Sequence, residues 1–191
     1  MVADSAVEKT APQPLFLVQQ FVNSVHFEPG EPTQELLTDA DALRAWLADH
    51  GLMESDDEVT EGDLRRALDV REGLRALLLA NNGLPLDEAM VERLDRASSR
   101  AGMRVHFCAD GPRLVPDAAG VDGAIALLMS AVAASVSEGT WQRLKACPRH
   151  DCFWAFYDHS KNRSGKWCSM ETCGNVEKAK AYRERRRGAA A

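Results

Sequence analysis

Two short stretches decide how the C-terminal part of this chain folds: CPRHDC at residues 147–152 and CSMETC at residues 168–173. Each holds two cysteines with four residues between them, and 15 residues separate the two pairs. Zn²⁺ favours thiolate ligands in a tetrahedron, and two turns that each supply two thiolates can close such a site. The spacing therefore predicts one structural zinc ion, with four ligands: Cys147, Cys152, Cys168 and Cys173.

The cellular compartment bears on this prediction. The first residues, MVADSAVEKTAPQP, lack the basic segment and apolar run of a secretory signal. The longest apolar stretch, at 124–136, is shorter than a membrane span requires. We therefore expect a cytoplasmic protein with no membrane partner, where reduced cysteines serve as metal ligands more often than as disulfides. A disulfide framework and reactive thiols are the alternatives.

Charge is divided unevenly along the chain, whose formal net charge is −6. Residues 1–140 carry 11 basic against 24 acidic side chains, and residues 141–191 carry 12 against 5. An acidic body with a basic C-terminal part is typical of a protein that meets a polyanion, although a basic tail can also be merely solvated. The cations predicted to contact nucleic acid are Lys161, Arg163, Lys166, Lys178, Lys180, Arg183, Arg186 and Arg187.

The segment GNVEKAKAYRERRR, at 174–187, predicts a helix with Asn175 as its N-cap. At 100° per residue, Lys180, Arg183 and Arg187 fall within an arc of roughly 60°. Such a stripe, held rigidly by a metal site, suits duplex DNA, because its charges meet phosphates and a helix can enter the major groove.

Five of the twelve aromatic residues lie between the cysteine pairs, in FWAFYDHSKNRSGKW at 153–167. A small module needs apolar filling, which predicts that these rings pack around the metal and against the rest of the protein. The alternative is a stacking platform for nucleic-acid bases. The polar, basic tip of the same stretch, SKNRSGK at 160–166, is a candidate phosphate contact.

The region before the cysteines is predicted to be mainly helical. Residues 1–14 have the composition of a disordered segment, and 15–27 fit either a strand or a buried helix. Cys108 is expected to be a small buried hydrophobe. Apolar periodicity and capping residues predict helices at 35–52, 60–83, 85–102 and 121–137, and alternation around Asp-Gly-Pro predicts a β-hairpin at 103–118.

The C-terminal run resembles the CGNR zinc finger, a module named for its Cys-Gly-Asn-Arg signature. The resemblance rests on the two CxxxxC pairs, on YDHSKN at 157–162, on WCSM at 167–170, on CGN at 173–175 and on the basic helix that follows. Two N-terminal stretches, FVNSVHF at 21–27 and LLTDADALRAWLADHGL at 36–52, are similar to the ABATE domain that usually precedes this finger.

The resemblance implies a bacterial, stress-induced transcription regulator that binds zinc through the four cysteines and binds DNA. The predicted fold class is α+β: a mainly helical N-terminal domain with a small β component, then a treble-clef-like four-cysteine zinc finger that ends in a basic helix. The predicted boundaries are a disordered N-terminus at 1–14, an ABATE-like domain at 15–139, the finger at 140–187 and a tail at 188–191.

One position departs from the signature, since Val176 stands where CGNR has its arginine. If that arginine contacts a phosphate or a base, nucleic-acid binding by this chain should be weaker or altered in specificity. If it pairs instead with the metal cluster or an acidic neighbour, Val176 can pack in its place. The sequence leaves both readings open.

The other function classes have weaker support. The chain lacks G-x-S-x-G, a Gly-rich phosphate loop and H-E-x-x-H, so we expect no enzyme and no catalytic residue. The alternative functions are a zinc-braced protein–protein interaction module and an RNA-binding protein. Asn23 and His26 are candidates to line a small-molecule pocket in the N-terminal domain, and a homodimer is expected by analogy with other DNA-binding regulators.

Overall fold

A computed structural model describes residues 9–27 and 32–188 of the chain. Within these residues, the part before the cysteines is built mainly from helices, and the predicted α+β class is confirmed. The region predicted as either strand or helix at 15–27 contains both, a helix followed by a short strand. The helices are α1 Leu15–Val22, α2 Ala40–Asp49, α3 Glu61–Asn81, α4 Glu88–Ser98 and α5 Gly120–Ser137.

Local capping chemistry fixes where three of these helices begin. Asp39 accepts a hydrogen bond from the backbone N–H of Ala42, and Asp87 caps α4 in the same way. Thr60 forms a reciprocal capping box with Asp63 at the start of α3. These side chains satisfy N–H groups that have no partner within the helix. Helices α2, α3 and α4 begin one to five residues later than predicted, whereas α5 begins one residue earlier.

Three antiparallel hairpins complete the described part of the chain. The first pairs β1 Val25–His26 with β2 Gln34–Glu35. The second, at the predicted position, pairs β3 Met103–Cys108 with β4 Gly111–Pro116. The third lies within the cysteine-rich region and pairs β5 Leu144–Ala146 with β6 Ala155–Tyr157.

The β3–β4 hairpin projects from the body and differs from the prediction in one respect. Its apolar face is exposed, and Phe107 is 79% accessible. Cys108 is therefore only half-buried, because it closes the exposed end of the hairpin, where its Sγ lies 3.0 Å from the carbonyl oxygen of Gly111. The expectation that Cys108 is a buried hydrophobe is wrong.

Helix α5 runs through the middle of the core. Ile125 and Leu128 are almost inaccessible, and α5 packs against α1, α3, α4 and β4. Among the described residues, it is the one helix long and apolar enough to cross a membrane. Its buried residues contact other helices of the same core, which accounts for its apolar composition.

The core continues into the cysteine-rich region. Leu144, Ala146, Ala155 and Tyr157, which come from β5 and β6, belong to the same buried cluster as the residues of α1 to α5. The chain segment predicted as finger is thus fused on one side to the helical body. Its hairpin is part of the main core.

The N-terminal segment contacts the finger. Residues 1–8 lie outside the described residues; of residues 9–14, the first three are at least partly buried and the last three are exposed. Ala11 is buried, and the Lys9 carbonyl accepts a hydrogen bond of 2.8 Å from the backbone N–H of Tyr157. Lys9 also donates its Nζ to the carbonyl oxygen of Trp167. These contacts join residues that are about 150 positions apart, which local composition does not reveal.

Candidate metal centre and nucleic-acid interface

The four predicted ligand cysteines converge on one point. Their Sγ atoms all lie within 4.8 Å of one another. The Cys152–Cys168 and Cys168–Cys173 sulfurs are 3.5 and 3.6 Å apart. Sulfurs that surround a zinc ion at about 2.3 Å in a tetrahedron are about 3.8 Å apart. The cluster therefore has the dimensions of a four-thiolate metal site.

The electrostatics of the cluster also call for a cation. Contacts with the other three thiols raise the pKa of Cys168, and contacts of the same kind lower the pKa of Cys173. Four thiolates at these distances repel one another, so they ionise together only when a positive charge lies between them. A divalent metal ion would supply that charge, and the four sulfurs would hold it.

Backbone hydrogen bonds shape the first cysteine pair. The N–H of Cys147 donates to the carbonyl of Trp154, and the N–H of Cys152 donates to that of Arg149. The Arg149 side chain is buried, pairs with Asp151, and brings Nη1 to 4.0 Å from the Cys173 sulfur. This guanidinium partly offsets the negative charge that the cluster carries when it holds a metal.

The second cysteine pair begins the C-terminal helix. Ser169 caps a π-helical turn, Met170–Gly174, which leads directly into α6 Asn175–Gly188. Asn175 has helical dihedrals, so the prediction that it is the N-cap is wrong: the cap lies six residues earlier, at Ser169. A Cβ on Gly174 would come within 2.7 Å of the flexible end of the Met170 side chain, so a larger residue here would displace that side chain.

A buried ion pair organises the loop between the two pairs. The Nζ of Lys145 donates to a carboxylate oxygen of Asp158 at 2.7 Å, and the same oxygen accepts the N–H of Gly165. Burial by itself would raise the pKa of Asp158, but hydrogen bonds from Lys145 and Ser160 outweigh it and lower the pKa to about 2. A Cβ on Gly165 would collide with the same carboxylate. The basic tip 160–166 is thus folded around Asp158.

The aromatic residues between the pairs face the protein. Phe156 is buried in a small cluster with three of the cysteines, and Trp154 and Trp167 pack against it. Tyr157 is buried in the main core, and Phe153 meets Phe27 edge to face. The prediction that these rings supply apolar filling agrees with their positions.

Asn23 is a brace between the body and the hairpin β5–β6. Its side-chain amide donates to the carbonyl of Ala155 at 2.9 Å and accepts the N–H of the same residue at 2.7 Å. Gln19 also donates to that carbonyl. From α3, Asn81 and Asn82 donate to carbonyls of β5. Asn23 also lies beside a cavity, but its polar side-chain atoms are occupied by this brace.

The basic stripe of α6 faces a groove of about 380 Å³ beside the first cysteine pair. Lys180, Arg183 and Arg187, which the sequence placed on one stripe, line it together. Val176 also lies in this groove and is 42% exposed. The remaining lining residues are two that lie between the first two cysteines and two acidic residues of α6: Arg149, His150, Glu177 and Glu184.

The other predicted nucleic-acid contacts are exposed but lie outside this groove. Lys178 and Arg186 occupy other sides of α6, and Arg186 lies over the ring of Tyr182. Lys161, Arg163 and Lys166 belong to the loop that Asp158 organises. The structure thus brings three of the eight predicted cations together and separates the remaining five from them.

Two family models match the chain. The first, ABATE, is described as a "putative stress-induced transcription regulator" and matches residues 16–138. This chain belongs to the ABATE family. The second, the CGNR zinc finger, matches residues 143–186 and includes both cysteine pairs. Both the resemblance and the order of the two regions are confirmed. One model describes a transcription regulator and the other a zinc finger, and neither describes an enzyme. No curated protein matches the chain.

Several structural roles in this ABATE protein escaped the sequence analysis. Arg71 and Arg75 are buried on α3, where Arg71 forms two hydrogen bonds of 2.7 Å with Glu35. Arg75 donates to the carbonyls of Val22 and Phe153, and so ties the body to the finger. Their spacing of four residues on a helix is a weak signal, because arginines at such spacing are usually exposed.

Proposed function

We propose that this chain is a zinc-dependent DNA-binding regulator of the bacterial cytoplasm, in which the finger meets DNA and the N-terminal domain receives a signal or a partner. The observation that carries the proposal is the groove between α6 and the first cysteine pair. Lys180, Arg183, Arg187 and Arg149 line it, and these four cations outnumber the two carboxylates of Glu177 and Glu184 in the same groove. An excess of cations in one groove suits the phosphates of a nucleic acid.

Zinc has a structural part in this proposal. Cys173 lies in the turn that begins α6, and Cys147 and Cys152 lie beside the opposite wall of the groove. A metal held by all four cysteines fixes the angle between these two walls. The four-thiolate ligand set supports zinc over harder metals, which prefer oxygen ligands.

The test compares two triple variants that lose the same charge. The first is Lys180→Ala, Arg183→Ala and Arg187→Ala, which removes the groove cations. The control is Lys178→Ala, Arg185→Ala and Arg186→Ala, which removes three exposed cations of the same helix outside the groove. Fluorescence anisotropy with a labelled random-sequence DNA duplex, over a range of KCl concentrations, gives the affinity and its salt dependence.

We expect the groove variant to bind DNA about tenfold or more weakly than the control. The slope of log K against log salt should be smaller by up to about 2.7, because each phosphate contact contributes about 0.9. Equal losses in the two variants would show that only overall charge matters and would remove the groove from the proposal. Tighter binding to single-stranded RNA in competition would favour the RNA-binding alternative. No measurable DNA affinity in the parent protein would favour a protein-interaction module.

A further inference from the structure

A second cavity, apart from the metal centre and the basic groove, lies where the helical body meets the finger. Its volume is about 440 Å³, within the range of small-molecule sites. Five rings line it, and they come from α1, the first short strand, α2 and the finger: Phe16, His26, Trp46, His50 and Trp154. Leu36, which is 48% exposed, lies at the same cavity.

Four of the five rings form two pairs. Trp46 and His50 stack with their centroids 3.8 Å apart and their planes 18° from parallel. His26 meets Trp154 edge to face at 4.8 Å. Rings that are already packed against one another lose little freedom when a ligand binds, so the walls are pre-organised.

The described residues that line the cavity include no Asp, Glu, Lys or Arg, although such residues make up 27% of the chain. The side-chain amides of Gln19 and Asn23 are engaged by Ala11 and Ala155. His50 uses Nδ1 on the carbonyl of Trp46, and its Nε2 has no hydrogen-bond partner among the described residues. The lining thus offers aromatic faces together with a few uncharged polar groups, among them the imidazoles of His26 and His50 and the amide of Gln20.

We propose that this cavity binds an uncharged, planar aromatic molecule about the size of two fused rings. A flat π system gains by stacking on and edge contact with the rings of the wall. A charged ligand would lose its hydration without meeting an opposite charge. The imidazole nitrogens of His26 and His50 suit a hydroxyl or N–H group on the rim of such a molecule.

The position of the cavity connects it to the finger. Trp154 follows Cys152 by two residues, and its carbonyl accepts the N–H of Cys147, so one wall of the cavity adjoins the first pair of metal ligands. A ligand that contacts Trp154 therefore acts on the side of the finger that holds Arg149. Any effect on DNA affinity rests on the proposed function, whereas binding itself does not.

The experiment uses the full-length, zinc-loaded protein and three probes with related skeletons. The probes are 2-naphthol, its saturated counterpart decahydro-2-naphthol, and the anion 2-naphthoate. Indole N–H resonances of the four tryptophans report the site: 2-naphthol should shift those of Trp46 and Trp154 saturably and leave that of Trp141 in place. We expect the other two probes to bind about tenfold or more weakly.

A matched pair of histidine variants tests the site. His50→Ala removes a stacked ring and the free nitrogen, and should weaken 2-naphthol binding by about threefold to tenfold. His106→Ala, on the exposed β3 strand away from the cavity, should leave it unchanged. The proposal is overturned if 2-naphthol produces no saturable shift, if either other probe binds as well as 2-naphthol, or if the two variants behave alike. DNA affinity with and without 2-naphthol is measured separately, so that a failure of DNA binding can be distinguished from a failure of 2-naphthol binding.

Discussion

The finger has a hairpin half, residues 144–158, and a helical half, residues 168–188, which share one metal site but differ in what else holds them. The hairpin half contributes to the main core and receives hydrogen bonds from α1 and α3. In the helical half, none of the side chains at 175–187 is buried. We infer that tertiary packing holds the hairpin half in place, whereas the helical half depends on the four-cysteine site.

Metal removal should separate the two halves most strongly. Structural zinc contributes on the order of 10 kcal/mol in small modules. We expect Cys152→Ser, or a chelator, to abolish hydrogen-exchange protection in α6 while the amides of β5 and β6 stay protected. Cys108→Ser changes the fifth cysteine, outside the cluster, and should alter neither half. Loss of protection in both halves together would contradict the division.

Acid should produce the same separation by another route. Protonation of thiolates releases a metal as the pH falls. The pKa of Asp158 is about 2, below its ordinary value of 3.8. Its contribution to stability is therefore complete above about pH 4 and is lost only as the pH falls towards 2. Between pH 7 and pH 4 we expect helical circular dichroism from α6 to fall while NMR shows the Lys145–Asp158 pair intact. Simultaneous loss of both signals would contradict the inference that the two halves are held in different ways.

The buried ion pair should have the next largest effect, in the hairpin half. Asp158→Ala leaves the Lys145 ammonium buried without its partner, which typically costs about 3–5 kcal/mol of unfolding free energy. Denaturant unfolding of the metal-loaded protein measures this cost. The double variant Lys145→Met with Asp158→Leu removes both charges and should recover most of the loss. A double variant as unstable as Asp158→Ala would indicate that the loop hydrogen bonds matter more than the charge.

A smaller effect is expected at the brace. Asn23→Ala removes two hydrogen bonds to Ala155 and leaves a buried N–H without a partner, at a cost of about 1–3 kcal/mol. The matched change Asn162→Ala, in the exposed loop, should cost little. Hydrogen exchange should show that Asn23→Ala speeds exchange in β6 more than in α6. The reverse order would mean that the brace supports the helical half.

The smallest effect is expected at Val176, which stands where the CGNR signature has its arginine. Val176 lines the basic groove of the helical half, so Val176→Arg adds a cation there. We expect DNA affinity to rise by a few-fold and the salt slope to steepen by about 0.9, if the new side chain meets one phosphate. Val176→Gln, similar in polarity but uncharged, is the control. Equal affinity in the two variants would favour the reading in which the signature arginine pairs with the metal cluster.

The elements that depend on local chemistry were predictable from the sequence. Asp39 and Thr60 start their helices because each side chain meets an N–H only three residues away. The hairpin at β3–β4 follows from alternation and a turn. The cap at Ser169 was less predictable, because a π-helical turn that local composition does not reveal stands between it and α6.

The cysteine spacing by itself determined that four cysteines form one cluster, since two close pairs of thiols at this separation are typical of a metal site. The arrangement of charge determined that α6 carries a basic stripe. Only the tertiary structure decided that Lys9, Asn23 and Arg75 tie the body to the finger, that Arg149 joins the basic stripe, and that rings from four segments enclose a cavity. Each of these joins residues that lie far apart along the chain. Periodicity and spacing record what neighbours on one helix or strand do, and they hold no information on which distant backbone a side chain will reach.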